Sequence, residues 1–471
     1  MRPRSLALAF ALATAAAAWG DIFEVGPVGR PFTELTQVAP LVGPGDLVLV
    51  DGGATYAPVL FTNDGAPGNP IVVRGLRVGG ARPVLAGGTN TIEIQSDHFV
   101  LESFEVTGGS FRCVYHHGDD LTLRDLYVHD CAAHGILSAD EDSGSLTIEY
   151  SEVARAGNGS SQHGLYVTSD QNAHPGSVFR LRHSWVHDMN GGNALKSRAE
   201  RNEIHFNWFE GTRYHLMELI GPDEDAVTPP PGIREDSDVV GNVLVHRAYD
   251  PPLTPWGVDP PAIDGNFYFV RVGSDFRCDD GGQNSTRGRY RFANNTFVRR
   301  DGGSGSHVFR PFGYLQSIAM SNNVFYSVPA GTTPMVRADD GERCWTDGEQ
   351  IAGQNNWAES GTSIPTGWTG TVTGASPGFV DAAGLDLRPA AGSPLLEQGT
   401  ANPTDPPGFP FPDPHFPPAF EPPLRSVLPG SPAPARLAVG AIDLGAFEFP
   451  GSLFTDGFEW QDTSRWSSTV P

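Results

Sequence analysis

The six residues Ile204-His205-Phe206-Asn207-Trp208-Phe209 decide the fold, because their pattern recurs along the chain. The related segments are separated by turns rich in Gly, Asn and Asp, and no long stretch shows helical periodicity. The fourth position of the repeat is Leu126, Ser151, Ser184, Asn207, Asn242, Asn295 and Asn323, and the sixth is Val128, Val153, Val186, Phe209, Leu244, Phe297 and Phe325. A column of amides beside a column of large apolar side chains is typical of stacked coils, in which amides form a ladder and hydrophobes fill the interior.

A second repeat precedes the first and indicates the length of one coil. It reads His134-Gly135-Ile136-Leu137, His163-Gly164-Leu165-Tyr166, Asn193-Ala194-Leu195-Lys196 and His215-Leu216-Met217-Glu218. Its first positions are 29, 30 and 22 residues apart, and the shortest spacing is close to one coil of a parallel β-helix, whereas a propeller would need about twice that period. The longer spacings indicate inserted loops around residues 139–145 and 168–176. We therefore predict an all-β solenoid.

The composition agrees with a turn-rich β protein. Gly (57) and Pro (41) together make about a fifth of the 471 residues. The 55 acidic and 31 basic side chains give a formal charge of −24, which argues against a nucleic-acid binder, because such a protein needs a clustered basic face. Hydrophobic content of 39% is enough for a large core. Lys196 is the only lysine among the basic residues.

The first 20 residues have the features of an export signal. Arg2 and Arg4 precede a short apolar run over residues 5–18, and a small residue precedes Asp21. This run is too short to span a bilayer, and no later stretch approaches the roughly 20 apolar residues that a span requires. We therefore expect a signal peptide over residues 1–20 and a secreted bacterial monomer, extracellular or periplasmic, without a membrane span.

The four cysteines fit an oxidising compartment. The preferred pairs are Cys113 with Cys131 and Cys278 with Cys344. Since sequence does not fix connectivity, four free buried thiols are the alternative.

The repeats resemble the right-handed parallel β-helix superfamily that includes pectate lyases and polysaccharide lyase family 6, the alginate lyases and chondroitinase B. Residues 45–50, 55–56 and 65–74 resemble the N-terminal cap and first coil of such proteins. Residues 377–381, 387–389, 392–394 and 443–448 resemble their closing coils and cap. The resemblance covers residues 22–450 and implies a single-stranded right-handed parallel β-helix with an N-terminal cap over residues 21–400.

The C-terminal region divides into two parts. Thirteen of the 36 residues from Ala401 to Arg436 are Pro, which excludes a helix or a central strand and predicts either an extended wrap over the barrel or a semi-rigid linker. We take residues 401–450 as this irregular Pro-rich segment with the closing cap. Residues 451–471 resemble the short C-terminal tag of exported bacterial proteins and are expected to lie outside the fold.

Strand alternation along the second repeat separates inward from outward side chains. The column Ile136, Leu165, Leu195 and Met217 should point inward. The column Leu137, Tyr166, Lys196 and Glu218 should point outward, with Thr168 and Arg198 on the same face two residues further along. Three consecutive coils thus present Tyr, Lys and Glu about 4.8 Å apart, beside the two predicted loops, where function concentrates.

Residues 193–197 with Asn202–Phe209 resemble the segment of family 6 lyases that carries the catalytic lysine. The resemblance implies a polysaccharide lyase that cleaves a uronate-containing glycan by β-elimination, with Lys196 as the base. Such a base needs a lowered pKa, which Arg198 could supply as a cationic neighbour. A cation, either Arg or Ca²⁺, must neutralise the uronate carboxylate.

Several roles at this face stay open. The Arg-His pair that the lyases carry on the next coil is replaced by Arg213-Tyr214-His215 in a shifted frame, so the general acid is either Tyr166 or His215. Glu218 is expected either to bind Ca²⁺ or to pair with Lys196. Contacts with an acidic polysaccharide are expected from His163, Thr168, Arg201 and Arg213. A structural column is the alternative for His134, His163 and His215.

The net charge restricts these hypotheses. A chain of charge −24 repels a polyanion unless Lys196, Arg198, Arg201 and Arg213 form a positive patch or Ca²⁺ bridges the carboxylates. The alternatives are a glycoside hydrolase, which two facing carboxylates would favour, a uronate C5-epimerase, which shares the proton abstraction, and a non-catalytic glycan-binding or adhesion protein.

Overall fold

The structure, a computed structural model, describes residues 20–212, 214–221, 234–246, 268–274, 287–300, 307–311, 313–328, 330–331, 345–427, 430–437 and 440–450. The expected signal peptide apart from Gly20, the predicted substrate contact Arg213, the Cys278–Cys344 pair and the tail over residues 451–471 lie outside the described residues.

Short strands stack into three long parallel sheets in this part of the chain. Sheet A contains Ile22–Val25, Leu47–Asp51, Ile71–Leu76, Phe99–Glu102, Leu121–Arg124, Leu146–Glu149, Val178–Arg182, Arg201–His205, Asp236–Val240, Arg289–Ala293, Ser317–Ser321, Ile351–Gln354 and Trp368–Thr369. Sheet B contains Thr55–Tyr56, Val84–Ala86, Glu105–Thr107, Tyr127–His129, Glu152–Ala154, Trp185–His187, Trp208–Glu210, Val243–His246, Thr296–Arg299, Val324–Ser327, Trp357–Glu359 and Val372–Gly374. Sheet C contains Val59–Phe61, Asn90–Ile94, Arg112–His116, His134–Ser138, Leu165–Thr168, Leu195–Arg198, Met217–Ile220, Tyr268–Gly273 and His307–Pro311.

From Leu47–Asp51 to His307–Pro311, each coil contributes one strand to sheets A, B and C in turn. The coil that begins at Leu121–Arg124 in sheet A continues through Tyr127–His129 in sheet B and His134–Ser138 in sheet C. It then returns to sheet A at Leu146–Glu149, which pairs in parallel with Leu121–Arg124. Such crossovers between parallel strands are right-handed. The predicted all-β, right-handed parallel β-helix is therefore confirmed.

The two ends of the solenoid carry different elements. Near the N-terminus, the short helix Leu35–Val38 buries Leu35 and Val38 and contacts the strand Val59–Phe61 of the first coil. After the last coil, Phe379–Asp381 and Asp386–Pro389 form an antiparallel pair. No helix in the described part of the chain is long and apolar enough to cross a membrane.

The six-residue repeat spans a bend between sheets A and B, and it is not one strand. Sheet A strands end at its second residue, and sheet B strands begin at the fifth. The residue before the amide position has a positive φ in most coils, as at Asp125 (51°), His183 (51°) and Phe206 (59°). This left-handed conformation is unfavourable for His and Phe. Their rings stack along the axis, with centroids 5.4 Å apart, which stabilises the bend.

Amide side chains form a ladder inside this bend. Its fully buried members are Asn207, Asn242, Asn295, Asn323 and Asn356. Oδ1 of Asn242 accepts hydrogen bonds from the backbone N–H of Asn207 at 2.8 Å and from its side-chain amide at 3.0 Å. The same two bonds link each later member to the next. The predicted ladder is confirmed, and Asn356 extends it by one coil.

A disulfide fixes the corner between sheets B and C in the early coils. Cys113 and Cys131 are both buried, and their Cα atoms are 5.8 Å apart across an S–S bond. This confirms the first predicted pair. The closed loop contains the bend and the sheet B strand Tyr127–His129, so the cross-link holds two consecutive coils together.

The Pro-rich segment wraps back along the outside of the solenoid. Its start lies at the last coils, where the Asn355 side chain donates to the carbonyl of Gln398 at 2.8 Å. Further along, the Arg201 guanidinium donates to the carbonyl of Pro412 at 2.9 Å, and the backbone N–H of His415 donates to Asp238 at 2.8 Å. Of the two alternatives from sequence, the structure shows the wrap.

We predict that Asn295→Ala destabilises the protein by about 1–3 kcal/mol, because it leaves the buried backbone N–H of Asn242 without its acceptor. Urea unfolding followed by circular dichroism measures the change. Asn402→Ala, at an exposed position of the wrap, is the control. Equal stability of the two variants would show that the ladder contributes nothing.

Candidate functional site

The outward column of sheet C brings the predicted site residues together. In the parallel register, Tyr166 pairs with Lys196, Lys196 with Glu218, and Glu218 with Arg271. Thr168 pairs with Arg198 one outward position further along. The inward columns are buried as expected, with Leu165, Leu195 and Met217 completely inaccessible. Strand alternation therefore places Tyr, Lys and Glu on one face, as predicted.

Lys196 lies between an aromatic ring and a carboxylate. Its Nζ is 3.8 Å from Oε2 of Glu218 and 5.1 Å from the centroid of the Tyr166 ring. Its side chain is 13% exposed, so most of it is enclosed by neighbouring residues and a small part is open to solvent. The amine is thus held in place between Tyr166 and Glu218.

Glu218 is the buried anion at the centre of the cluster. Arg271 donates to Oε1, and the Asn193 side-chain amide donates to Oε2 at 2.6 Å. Burial alone would raise the pKa of the Glu218 carboxyl, but Arg271 and then Lys196 outweigh burial and hold this pKa well below its usual range. Glu218 is therefore ionised throughout the neutral and mildly acidic range.

These partners do not fit the Ca²⁺ expected at Glu218. Calcium takes about six to eight oxygen ligands, whereas both oxygens of this carboxylate face N–H donors. Among the described residues, no group of three or more His, Cys, Asp or Glu side chains is placed to hold a metal ion. Of the two roles proposed for Glu218, the ion pair with Lys196 is the one present in the structure.

Arg198 orients the hydroxyl of Tyr166. Its Nε donates to the Tyr166 oxygen at 3.0 Å, and another guanidinium nitrogen donates to the carbonyl of Gly221. Arg198 is almost fully buried, so this geometry is rigid. A hydroxyl that accepts a bond from a guanidinium carries negative charge more easily, as an acid must after it gives up its proton.

The histidine column is a hydrogen-bonded ladder next to this cluster. Nδ1 of His134 accepts from the backbone N–H of His163 at 3.2 Å, and Nδ1 of His163 accepts from that of Asn193 at 2.9 Å. Asn193 continues the ladder through Oδ1 to the N–H of His215 at 3.1 Å, and Nδ1 of His215 accepts from Tyr268 at 3.3 Å. The alternative of a structural column therefore describes these residues.

Strict alternation places this column either with the inward set or in the turn just before the strand. His163, Asn193 and His215 precede their sheet C strands, as in the second alternative, whereas His134 is the first residue of its strand. The ring of His163 packs edge-on against Tyr166, with centroids 5.3 Å apart, and Asn193 reaches Glu218. The column thus supports the outward residues. Burial lowers the pKa of His134 to about 4 and that of His215 to about 3, so both are neutral near pH 7.

This burial affects two predicted roles. His215 is fully inaccessible and stacks on Tyr214, with centroids 3.8 Å apart, so Tyr166 is the better placed of the two candidate acids. The predicted substrate contacts His163 and Thr168 are also buried. Thr168 donates to the carbonyl of Ala139 at 2.5 Å. Both residues therefore belong to the buried support of the site and not to its exposed surface.

Arg201 does not belong to this cluster, which corrects its predicted place in the positive patch. It lies on the sheet A strand Arg201–His205, where its guanidinium binds the carbonyls of Pro412 and Asp413. Its guanidinium carbon is also 4.9 Å from the centroid of the Phe411 ring. Arg201 therefore anchors the Pro-rich wrap.

Two further cations extend the column beyond the predicted residues. Arg271 and Arg310 pair with each other on the next two strands of sheet C, and the guanidinium carbon of Arg310 is 4.9 Å from the centroid of the Tyr268 ring. The segments Tyr268-Phe269-Val270-Arg271 and His307-Val308-Phe309-Arg310 share the frame of the second repeat. The 53 residues that separate His215 from Tyr268 concealed this continuation in the sequence.

The site can exchange protons next to a fixed positive charge. It offers an amine, a hydroxyl held by a guanidinium, and one carboxylate that is already neutralised. An inverting hydrolase needs two separated carboxylates, and within the described part of this cluster Glu218 is the only one.

Comparison with solved structures gives the fold independently. The pectate lyase Pel9A matches with a TM-score of 0.53 and 15% sequence identity, over 92% of this chain and 97% of that chain. The chain shares its fold with a pectate lyase. A family 6 polysaccharide lyase, Pedsa3628 from Pseudopedobacter saltans, matches with a TM-score of 0.43 and 11% identity over 72% of this chain and 90% of its own. An alginate lyase from Paenibacillus sp. str. FPU-7 matches with a TM-score of 0.36 and 14% identity, over 73% and 93% of the two chains.

No protein-family model and no curated protein sequence matches the chain. The likeness to Pel9A, at a TM-score of 0.53 and 15% identity, establishes the pectate-lyase-like fold. A shared fold does not fix the function of the cluster on sheet C, which depends on the chemistry of its own residues.

We predict that acid destabilises the histidine ladder. The pKa of His134 and His215 in the folded protein lies below the ordinary value of 6.5. At pH values between the folded pKa and 6.5, the unfolded chain therefore binds more protons than the folded protein. Their contribution to stability is therefore fully present above pH 6.5 and is lost as the pH falls towards 4. Melting temperatures measured between pH 7.5 and 4.5 should decrease accordingly.

His134→Asn is the matched variant, since Asn193 already serves as an acceptor in the ladder. We expect its melting temperature to fall less than that of the wild type over this pH range. An identical decrease in both proteins would contradict the assignment.

Proposed function

We propose that the protein is an exported polysaccharide lyase that cleaves a uronate-containing glycan by β-elimination, with Lys196 as the base. The observation that supports this proposal is the cluster in which Lys196 touches Glu218 and Tyr166 while Arg198 holds the Tyr166 hydroxyl. The pectate-lyase-like fold supports the same reaction class at a coarser level.

In the proposed step, Lys196 first releases one proton of its ammonium group to solvent, and the resulting amine takes the C5 proton of a uronate residue. The C4–C5 double bond forms as the C4–O bond breaks, and the Tyr166 hydroxyl gives its proton to the leaving oxygen. Arg198 then stabilises the charge left on the Tyr166 oxygen through its bond at 3.0 Å. Lys196 thus gains one proton and Tyr166 loses one. The electron pair of the C5–H bond forms the double bond, and that of the C4–O bond stays on the leaving oxygen.

The uronate carboxylate requires a cation while charge develops at C5. Lys196 and Arg271 both contact the carboxylate of Glu218, so their cationic groups lie on either side of it. Glu218 neutralises one of the two charges and fixes both positions. Arg271 is thus placed to meet the substrate carboxylate beside the amine.

A local positive patch allows a chain with a large negative net charge to bind an acidic polysaccharide. Within the described part of the cluster, Lys196, Arg198, Arg271 and Arg310 oppose one carboxylate, Glu218. An excess of positive charge in one groove attracts a polyanion even when the whole protein carries a charge of −24. The patch differs from the expected one, because Arg271 and Arg310 replace Arg201.

Lys196→Arg is expected to lower kcat by about 100-fold or more, because arginine keeps the positive charge but stays protonated and cannot accept a proton. Tyr166→Phe should lower kcat by a similar factor. Arg124→Lys, the reverse exchange on the exposed outer face of sheet A, should leave kcat unchanged.

The assay follows the ultraviolet absorbance of unsaturated uronate with alginates, pectates, glucuronans and glycosaminoglycans, each with added Ca²⁺ and with a chelator. The chelator arm tests the calcium dependence that the sequence suggested. Full activity of Lys196→Arg would overturn the role of the base. Release of saturated ends would indicate hydrolysis, and inversion at C5 without cleavage would indicate an epimerase.

The single lysine permits a second test by chemical labelling. An amine-reactive acetylating reagent can modify only Lys196 and the terminal amine. We expect acetylation of Lys196, quantified by peptide mass spectrometry, to abolish activity, and the polymer substrate to slow it. In Arg124→Lys, the introduced lysine reports the reactivity of an exposed amine in the same sample, and the polymer should not protect it.

A further inference from the structure

The outward face of sheet C changes in character along the solenoid axis. Its central column, from the first strand to the last, is Leu60, Glu93, Tyr115, Leu137, Tyr166, Lys196, Glu218, Arg271 and Arg310. Among these residues, every cation lies on the C-terminal side of Tyr166. The N-terminal side carries aromatic and aliphatic side chains and one carboxylate.

Aromatic side chains form a platform at the N-terminal end, which we define as Phe111, Arg112, Tyr115 and His117. The Arg112 guanidinium carbon lies 4.2 Å from the centroid of the Phe111 ring and 3.8 Å from that of the Tyr115 ring. The ring of His117 packs edge-on against Tyr115 at 4.5 Å. Phe111 is 36% exposed, so part of its ring is open to solvent beside Arg112.

The platform is rigid. Cys113, in the middle of its strand, is linked to Cys131 on the following coil, and Arg112 donates to the Asn90 side chain at 3.3 Å. Binding of a ligand here therefore costs little side-chain conformational entropy. Arg112 covers one face of the Phe111 and Tyr115 rings, and the C–H groups of a sugar ring can pack on the partly exposed remainder of these rings.

The charge around the platform disfavours acidic sugars. Glu93 pairs with Tyr115 in the parallel register. The exposed residues Asp140 and Glu141 follow the strand His134–Ser138, which pairs with the strand of Tyr115. Arg112 is the opposing cation over the Tyr115 ring. Three carboxylates against one guanidinium give this end a negative potential. A uronate would be repelled here and attracted at the other end.

We propose that the platform binds uncharged sugar residues of the same polymer whose uronates bind at Lys196, Arg271 and Arg310, so that the substrate is a heteropolymer of neutral and acidic sugars. This inference rests on the proposed function, since it takes Lys196 as the point of cleavage. It excludes homopolymeric uronans as the best substrates. Glu93 and the exposed polar atoms around the rings supply acceptors for sugar hydroxyl groups.

The spacing of the coils agrees with this arrangement. Tyr115 lies three coils before Lys196, and Arg310 lies three coils after it, which places each about 14 Å from the amine at about 4.8 Å per coil. One sugar residue extends a glycan by about the length of one coil. A polymer laid along the axis therefore places a sugar residue over each end of the column.

The test measures glycan binding by affinity electrophoresis in a Lys196→Arg background, which prevents cleavage. The probes are polygalacturonate and alginate as homopolymers, and hyaluronan, unsulfated chondroitin and a rhamnose–glucuronate polymer as mixed glycans. At least one mixed glycan should bind about tenfold more tightly than both homopolymers. Phe111→Ala should weaken that binding about fivefold and leave homopolymer binding unchanged. Phe420→Ala, an equally exposed ring on the wrap, is the control.

A charge reversal provides an independent arm. Glu141→Arg should strengthen binding of polygalacturonate several-fold, because it removes repulsion at the platform, while Glu349→Arg, at an exposed site before the sheet A strand Ile351–Gln354, should not. Tightest binding of a homopolymer by the parent protein, or equal affinities of Phe111→Ala and Phe420→Ala, would overturn the inference.

Failure of the two proposals can be distinguished. Platform-dependent binding without unsaturated products from the wild-type protein would refute the lyase and retain the platform. Unsaturated products formed equally well from homopolymers, with no effect of Phe111→Ala, would retain the lyase and refute the platform.

Discussion

The coils from Leu126 to Asn356 depend on acceptors for the backbone N–H groups that turn inward at the bend between sheets A and B. A buried N–H without an acceptor costs as much as a lost hydrogen bond, and at this bend the strand ladders have been interrupted. The buried asparagines satisfy each N–H from the next coil and complete their own bonds to a carbonyl, as Asn295 does with Val239 at 2.9 Å. This interaction fixes the register of one coil on the next. With the register fixed, strand alternation aligns one outward residue per coil, and the column around Lys196 follows.

The cluster on sheet C shows how an acidic protein can hold a local excess of positive charge. A carboxylate buried among cations is expensive to desolvate, and Glu218 is compensated by Arg271, Lys196 and the Asn193 amide together. Removing any of these donors leaves charge or polar atoms without partners in a buried place. The site is therefore interlocked, and its geometry persists without a bound ligand.

The sequence predicted those features that follow from local periodicity. The amide column, the inward column at Leu195 and the outward position of Lys196 each depend only on alternation and on the repeat, and the structure has them as expected. The same reasoning left the histidines either with the inward set or in the turn before the strand, because alternation does not show where a strand begins. The structure has His163 and His215 in that turn. Arg201 was misplaced because it lies close to Lys196 in sequence but across the corner in sheet A. Arg271 escaped notice because its position in the repeat comes 53 residues after that of Glu218.

The Pro-rich wrap makes the coils of the solenoid depend on one another for stability. Stacked coils contact only their neighbours, so such a chain can unravel from an end one coil at a time. Here a single segment runs back from Asn355 past Arg289 and Arg201 to the stacked rings at His183. It connects coils that share no strand pairing. The last coil cannot separate without also releasing contacts at coils far from it, so the C-terminal half should unfold as one cooperative unit.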